Sequence, residues 1–275
     1  MPPLAPGRAR EGVGTVPTEI PFDETWLRRF GTARQPDVRL VCLPHAGGAA
    51  TTFFPLQREL PPSVELVAVQ YPGRHDRRHE QPLRDVRTLA DRVAAALRPL
   101  TDLPLVLFGH SMGAVVGFET AARLERDGAN PPLGLVASGR HSPATPRVET
   151  VHQRDDDGLI DEITKLSGTD PQILADPDMR AMILPALRAD YTAVETYRYD
   201  RSFLLRCPVS VFTGTADPKV TEHEAAAWEP LTSGAFRIER FPGGHFYLDG
   251  AERAVATALL RDIRAFTNAP ATQPR

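Results

Sequence analysis

Lysine is almost missing from this 275-residue sequence: Lys165 and Lys219 are the only two, and arginine supplies the rest of the 32 basic residues. Set against 35 acidic residues, they leave a formal net charge of −3, so no whole-chain basic field favours nucleic acid. Cysteine is scarce too. Cys42 and Cys207 stand apart in apolar, strand-like runs. Two isolated thiols make neither a disulfide framework nor a metal motif, and as buried free thiols they fit a reducing, cytoplasmic compartment. No apolar run approaches the roughly 20 residues of a membrane span, and the N-terminal stretch has no signal-peptide core.

What is present is the composition of an ordinary globular protein, 41% hydrophobic and 24% charged, long enough for one α/β domain. Residues 1–22 are rich in Pro, Gly and Arg and are expected to form a disordered leader, as residues 269–275 are expected to form a flexible tail. Between them, 23–268 reads as a single domain.

Within it, continuous apolar runs alternate with helical patterns. Arg39–Leu43, Leu66–Gln70, Leu105–Phe108, Leu133–Ser138, Val209–Thr213 and Phe236–Phe241 predict strands of a mostly parallel sheet buried on both faces. Asp85–Leu97, Met112–Asp127 (stopped by Gly128) and about Ala251–Phe266 predict helices that flank it. Residues 141–205 break the rhythm with helical patterns at Leu159–Leu166 and Met179–Tyr197. This insertion predicts a lid over a site, or extra helical packing on the sheet edge.

Chemistry concentrates at Gly109-His110-Ser111-Met112-Gly113, a G-x-S-x-G set between a strand and a helix. In that context the serine stands on a sharp turn with its hydroxyl exposed, and the helix N-terminus behind it favours developing negative charge. A serine hydroxyl needs a base, itself oriented by a third group, and in this fold the chain order is Ser, acid, His. His245 follows the last strand and Pro242-Gly243-Gly244, so it is the candidate base. Asp217, in Gly214-Thr215-Ala216-Asp217-Pro218, is the candidate acid. Asp249 comes after the histidine, and Asp190 and Asp200 fall in the insertion. Backbone N–H groups of Met112 and Ala46, the latter in Leu43-Pro44-His45-Ala46-Gly47-Gly48, are the candidate oxyanion donors. His45 reads as a loop side chain bordering the pocket.

Further segments join these: Trp26-Leu-Arg-Arg-Phe, Tyr71-Pro-Gly-Arg, Ser138-Gly-Arg and Gly243-Gly-His-Phe-Tyr-Leu. Together they resemble the type II thioesterases, free-standing editing enzymes of polyketide and non-ribosomal peptide synthesis within the α/β-hydrolase superfamily. The resemblance implies removal of stalled or wrong acyl groups from the phosphopantetheine arm of an acyl or peptidyl carrier protein. It also implies Ser111, Asp217 and His245 as triad, Ala46 and Met112 as donors, and a mobile lid. Neither metal nor cofactor is expected, and the protein is expected to be a monomer. Two positions depart from the family pattern: Thr215 stands where many relatives carry an acidic residue, and His45 where many carry an aromatic or other side chain.

Carrier domains of this kind are generally acidic, so Arg74, Arg77 and Arg78, with Arg84 and Arg87 behind them, are the candidate docking surface; a solvated arginine-rich face is the other reading. Two further functions remain open on sequence: a small-molecule esterase or lipase with the same triad, and a catalytically silent binding protein.

Overall fold

The structure is a computed structural model that describes residues 22–31, 35–128, 130–145, 147–166, 174 and 176–268. The leader, apart from Phe22, and the tail expected from sequence lie outside the described residues.

A seven-stranded sheet organises the chain: β1 (Leu27–Phe30), β2 (Val38–Leu43), β3 (Val64–Val69), β4 (Leu105–His110), β5 (Gly134–Ser138), β6 (Val209–Gly214) and β7 (Phe236–Phe241). Their spatial order is β1-β3-β2-β4-β5-β6-β7, and only β1 runs antiparallel to its neighbour. Described helices are α1 (Phe54–Gln57), α2 (Val86–Leu97), α3 (Met112–Asp127), α4 (Asp156–Leu166), α5 (Pro177–Thr196), α6 (Glu222–Ala226) and α7 (Glu252–Thr267). No helix among the described residues is long and apolar enough to cross a membrane.

The continuous apolar runs have a direct cause. Alternate residues of each inner strand feed two separate cores, one on either face of the sheet. Val41, Leu43, Leu105 and Leu107 pack towards α2 and α3. Leu40, Cys42, Val106 and Phe108 pack towards α1 and α7. Asp85 caps α2 by accepting the Thr88 N–H at 2.7 Å, and Gly128 ends α3 at φ 68°.

Six strands and the main helices match the expected segments within about two residues at most ends. The sequence reading passed over β1. Leu27-Arg-Arg-Phe is an edge strand with only Leu27 buried, and its arginines carry no apolar run to reveal it. The insertion between β5 and β6 holds α4 and α5, which share a small core of their own built on Val151, Leu159, Ile160, Ile163, Leu187 and Tyr191.

Because the chain leaves β2 for β3 on one side and returns to β4 on the other, the strand order switches between β2 and β4. Open α/β sheets form their crevice at such a point, outside the carboxyl ends of the strands. The loops after β2, β4, β6 and β7 all open there.

Candidate active site

Ser111 follows β4 directly and has φ 55° and ψ −115°, a conformation that L-residues rarely adopt. Two glycines make the turn possible. A Cβ on Gly109 would stand 2.1 Å from the Gly113 carbonyl oxygen, and one on Gly113 would stand 2.0 Å from that of Leu43. The Ser111 N–H donates to Ser138 O at 2.8 Å, which ties the turn to the end of β5.

Asp217 and His245 come from the loops after β6 and β7, neighbouring strands whose last paired residues are Gly214 and Phe241. Both side chains are buried. The His245 Nδ1 lies 3.0 and 3.1 Å from the two Asp217 carboxylate oxygens, and its Nε2 lies 3.1 Å from Ser111 Oγ. Only a protonated Nδ1 satisfies the carboxylate, so Nε2 turns its lone pair to the serine hydroxyl. The Lys219 N–H donates to Asp217 Oδ1 at 2.8 Å and helps to fix the acid. Serine, histidine and aspartate thus form one hydrogen-bonded line, the arrangement that makes a hydroxyl nucleophilic.

Two more imidazoles flank His245. The His110 ring lies 5.2 Å from it, and His45 packs on His110 and Phe246. Burial, then the neighbouring His245 and His45, hold His110 well below the ordinary histidine range. Burial likewise pushes His45 down to about 3, with His245 and Arg74 adding to the effect. Both stay neutral at pH 7 and add no charge against an imidazolium at His245. His45 therefore borders the site without competing as a base.

The chemistry of this array is acyl transfer, and the chain's relatives point the same way. The thioesterase-domain family model matches residues 38–267. The chain belongs to the thioesterase family. It is 49% identical over 246 residues to thioesterase PikA5 of Streptomyces venezuelae, covering 89% of this chain and 88% of that one. With a probable cadicidin biosynthesis thioesterase of Streptomyces griseus it shares 47% over 246 residues, 90% of this chain and 68% of the relative. The solved structure of BorB, a type II thioesterase from the borrelidin cluster, superposes with a TM-score of 0.80 at 42% identity, covering 89% of this chain and all of BorB. The resemblance seen in the motifs is therefore borne out, and so is the α/β-hydrolase fold.

One expectation about the thioesterase is corrected. Arg74 and Arg77 do not belong to an exposed basic patch. Arg74 is buried and paired with Asp190 at 2.6 Å. Arg77 is buried as well, donating to Glu80 and to Gln70 O while its guanidinium sits 4.5 Å over the Trp26 ring. Asp190 and Trp26 come from distant segments, so the sequence around the arginines does not reveal them. Arg78 and Arg84 are exposed; Arg87 is half-buried, near Glu119 and Asp200.

Reasoning from sequence also missed a buried relay beneath His110. Its Nδ1 lies 2.8 Å from Ser138 Oγ, which lies 2.6 Å from the Tyr247 hydroxyl. Ser138 and Tyr247 stood within quoted motifs, but nothing in one sequence shows that they meet. Beside the site, a cavity of about 200 Å³ is walled by residues including Val115, His141, Arg147 and Tyr197. Its wall starts next to Gly139, where a Cβ would stand 2.7 Å from the His110 ring and 3.4 Å from the His245 ring.

Proposed function

We propose that this thioesterase hydrolyses acyl thioesters from the phosphopantetheine arm of acyl or peptidyl carrier proteins, clearing stalled or aberrant acyl groups in polyketide or non-ribosomal peptide synthesis. The observation that carries the chemistry is His245, which bridges Ser111 and Asp217 through its two ring nitrogens. The relatives named for cadicidin biosynthesis and for the borrelidin cluster support the pathway.

Ser111 Oγ attacks the thioester carbonyl while His245 Nε2 takes its proton. The anionic tetrahedral intermediate rests on the backbone N–H groups of Ala46 and Met112, which adjoin the close contact of Gly113 with Leu43 and Pro44. Collapse expels the carrier thiol, which leaves with the proton held by His245. A water then gives its proton to His245 and attacks the acyl-serine. Breakdown of the second intermediate releases the acid and returns the proton to Ser111. Asp217 keeps the imidazole in the productive tautomer throughout. These steps ask for no cofactor beyond the arm that carries the substrate.

In this reading the α4–α5 insertion is the lid, the enzyme works as a cytoplasmic monomer, and the carrier meets the exposed Arg78 and Arg84. The deciding experiment incubates wild-type protein and Ser111→Ala with acetyl- and propionyl-loaded carrier protein and follows acyl mass. Loss with the wild type alone supports the reading. If neither clears the carrier while the wild type cleaves a simple ester, the protein is an esterase. If it cleaves neither substrate and a serine-reactive phosphonate fails to label Ser111, it is a binding protein.

A further inference from the structure

Residues 45–48 make a tight turn closed by the Gly48 N–H donating to His45 O at 2.9 Å. Ala46 and Gly47 are its central residues, and Gly47 has φ 79°. A positive φ at the second central position marks the type II form, which differs from type I by rotation of the central peptide. The N–H of that peptide, at Gly47, donates to Asp190 Oδ2 at 2.8 Å.

Asp190 belongs to α5, in the insertion and 143 residues further along the chain. It is 1% exposed, and both of its oxygens are engaged. Arg74 Nη1 donates to Oδ2 at 2.6 Å and Nη2 to Oδ1 at 2.9 Å. The same Nη1 also donates to Gly48 O at 3.1 Å. The two ends of one buried ion pair therefore hold an N–H and a C=O of the same turn. Arg74 is itself steadied by Pro72 O, and Leu187, one turn before Asp190, lies where a Gly47 Cβ would come within 2.8 Å.

We infer that Arg74 and Asp190 are positioning residues that lock the Ala46–Gly47 peptide in its type II orientation, so that the oxyanion loop is set for reaction only while α5 is seated on it. Rotation of this peptide exchanges the sides faced by its N–H and C=O and disturbs the adjoining Ala46 amide. Without the carboxylate, the Gly47 N–H loses the acceptor that anchors this orientation. The pair makes acyl transfer conditional on the placement of the insertion, a role separate from covering a substrate. It rests on the assignment of Ala46 as a donor, and on Ser111 as nucleophile, but not on a carrier substrate.

The test uses full-length protein and a small activated ester, p-nitrophenyl propionate, with Asp190→Asn and Arg74→Lys. Asp262→Asn serves as control, since Asp262 is a buried carboxylate paired with Arg237 on the far side of the sheet. Expected for both test variants is a fall in kcat of about 10- to 100-fold, short of the ~10²–10³-fold lost with an oxyanion donor itself. KM stays within about twofold, and the inhibition constant of an alkylboronic acid, which forms a tetrahedral adduct on serine, rises in step with the loss of kcat/KM. The control loses melting temperature but keeps its kcat. Full kcat in the folded test variants, or a rise in KM alone, overturns the inference. Should Asp190→Asn fail to fold, Arg74→Lys decides by the same criteria. Retained ester cleavage by Ser111→Ala would instead sink the nucleophile assignment, which separates the two failures.

Discussion

Gly113 packs so closely on the Leu43 carbonyl that a Cβ built on it would stand 2.0 Å from the oxygen, and 2.8 Å from that of Pro44. Both neighbours are backbone, so neither can swing away. This contact joins the start of α3 to the end of β2, and hence the Met112 amide to the Ala46 loop. Gly113→Ala is expected to cost about 1–3 kcal/mol of stability by overpacking. It should also lower kcat/KM by about 10²-fold through displacement of the two N–H groups proposed to hold the oxyanion. Thermal unfolding and ester kinetics on the same sample check both.

Asp217→Asn preserves shape but offers His245 an amide in place of a carboxylate, so the imidazole no longer holds its proton on Nδ1. A fall in kcat of roughly 10⁴-fold is expected with little change in fold. Combining it with Ser111→Ala should add almost nothing further, because the residues act as a unit. Single-turnover measurements on wild type, single and double variants test this.

His141 gives a pH prediction. Burial, with Arg140 and Arg147 nearby, depresses it from the ordinary 6.5 to about 3. Between these values the unfolded chain takes up a proton that the folded chain refuses. The stability that a neutral His141 provides is thus complete above pH 6.5 and declines as the pH falls towards 3. From pH 7 to pH 5, the wild type should lose about 2 kcal/mol more than His141→Gln, measured by chemical denaturation at each pH.

Charge reversal should separate the arginines into two kinds. Arg77→Glu removes a buried guanidinium from Glu80, Gln70 O and the Trp26 ring, and should destabilise the protein by about 3 kcal/mol. Arg78→Glu with Arg84→Glu changes only exposed groups. Stability should change by less than about 0.5 kcal/mol. The double variant should raise KM several-fold for an acyl-carrier substrate and leave a small thioester unaffected. Equal effects on both substrates would remove these arginines from the docking surface.

The inner sheet was legible because burial on both faces writes strands as unbroken apolar runs, whereas the half-exposed β1 writes no such pattern. Ser111, Asp217 and His245 were legible for a different reason. Each sits in a local turn whose chemistry is spelled by its own neighbours: Gly109 and Gly113, Pro218, and Gly243 with Gly244. Arg74 and Asp190 were not, since their meaning lies in a meeting across 116 residues. A buried arginine and a solvated one look alike until the partner is in place. Ser138 and Tyr247 escaped for the same reason, their contact spanning 109 residues.

The backbone of Ser111, at φ 55° and ψ −115°, carries a strain of order 1–3 kcal/mol, present whether or not substrate is bound. Glycine is the residue that occupies such a conformation freely. The most heat-resistant sequence for this backbone is therefore not its working sequence. A laboratory selection that rewards survival at high temperature, without also rewarding turnover, would drift towards a chain that has traded its nucleophile for ease of folding.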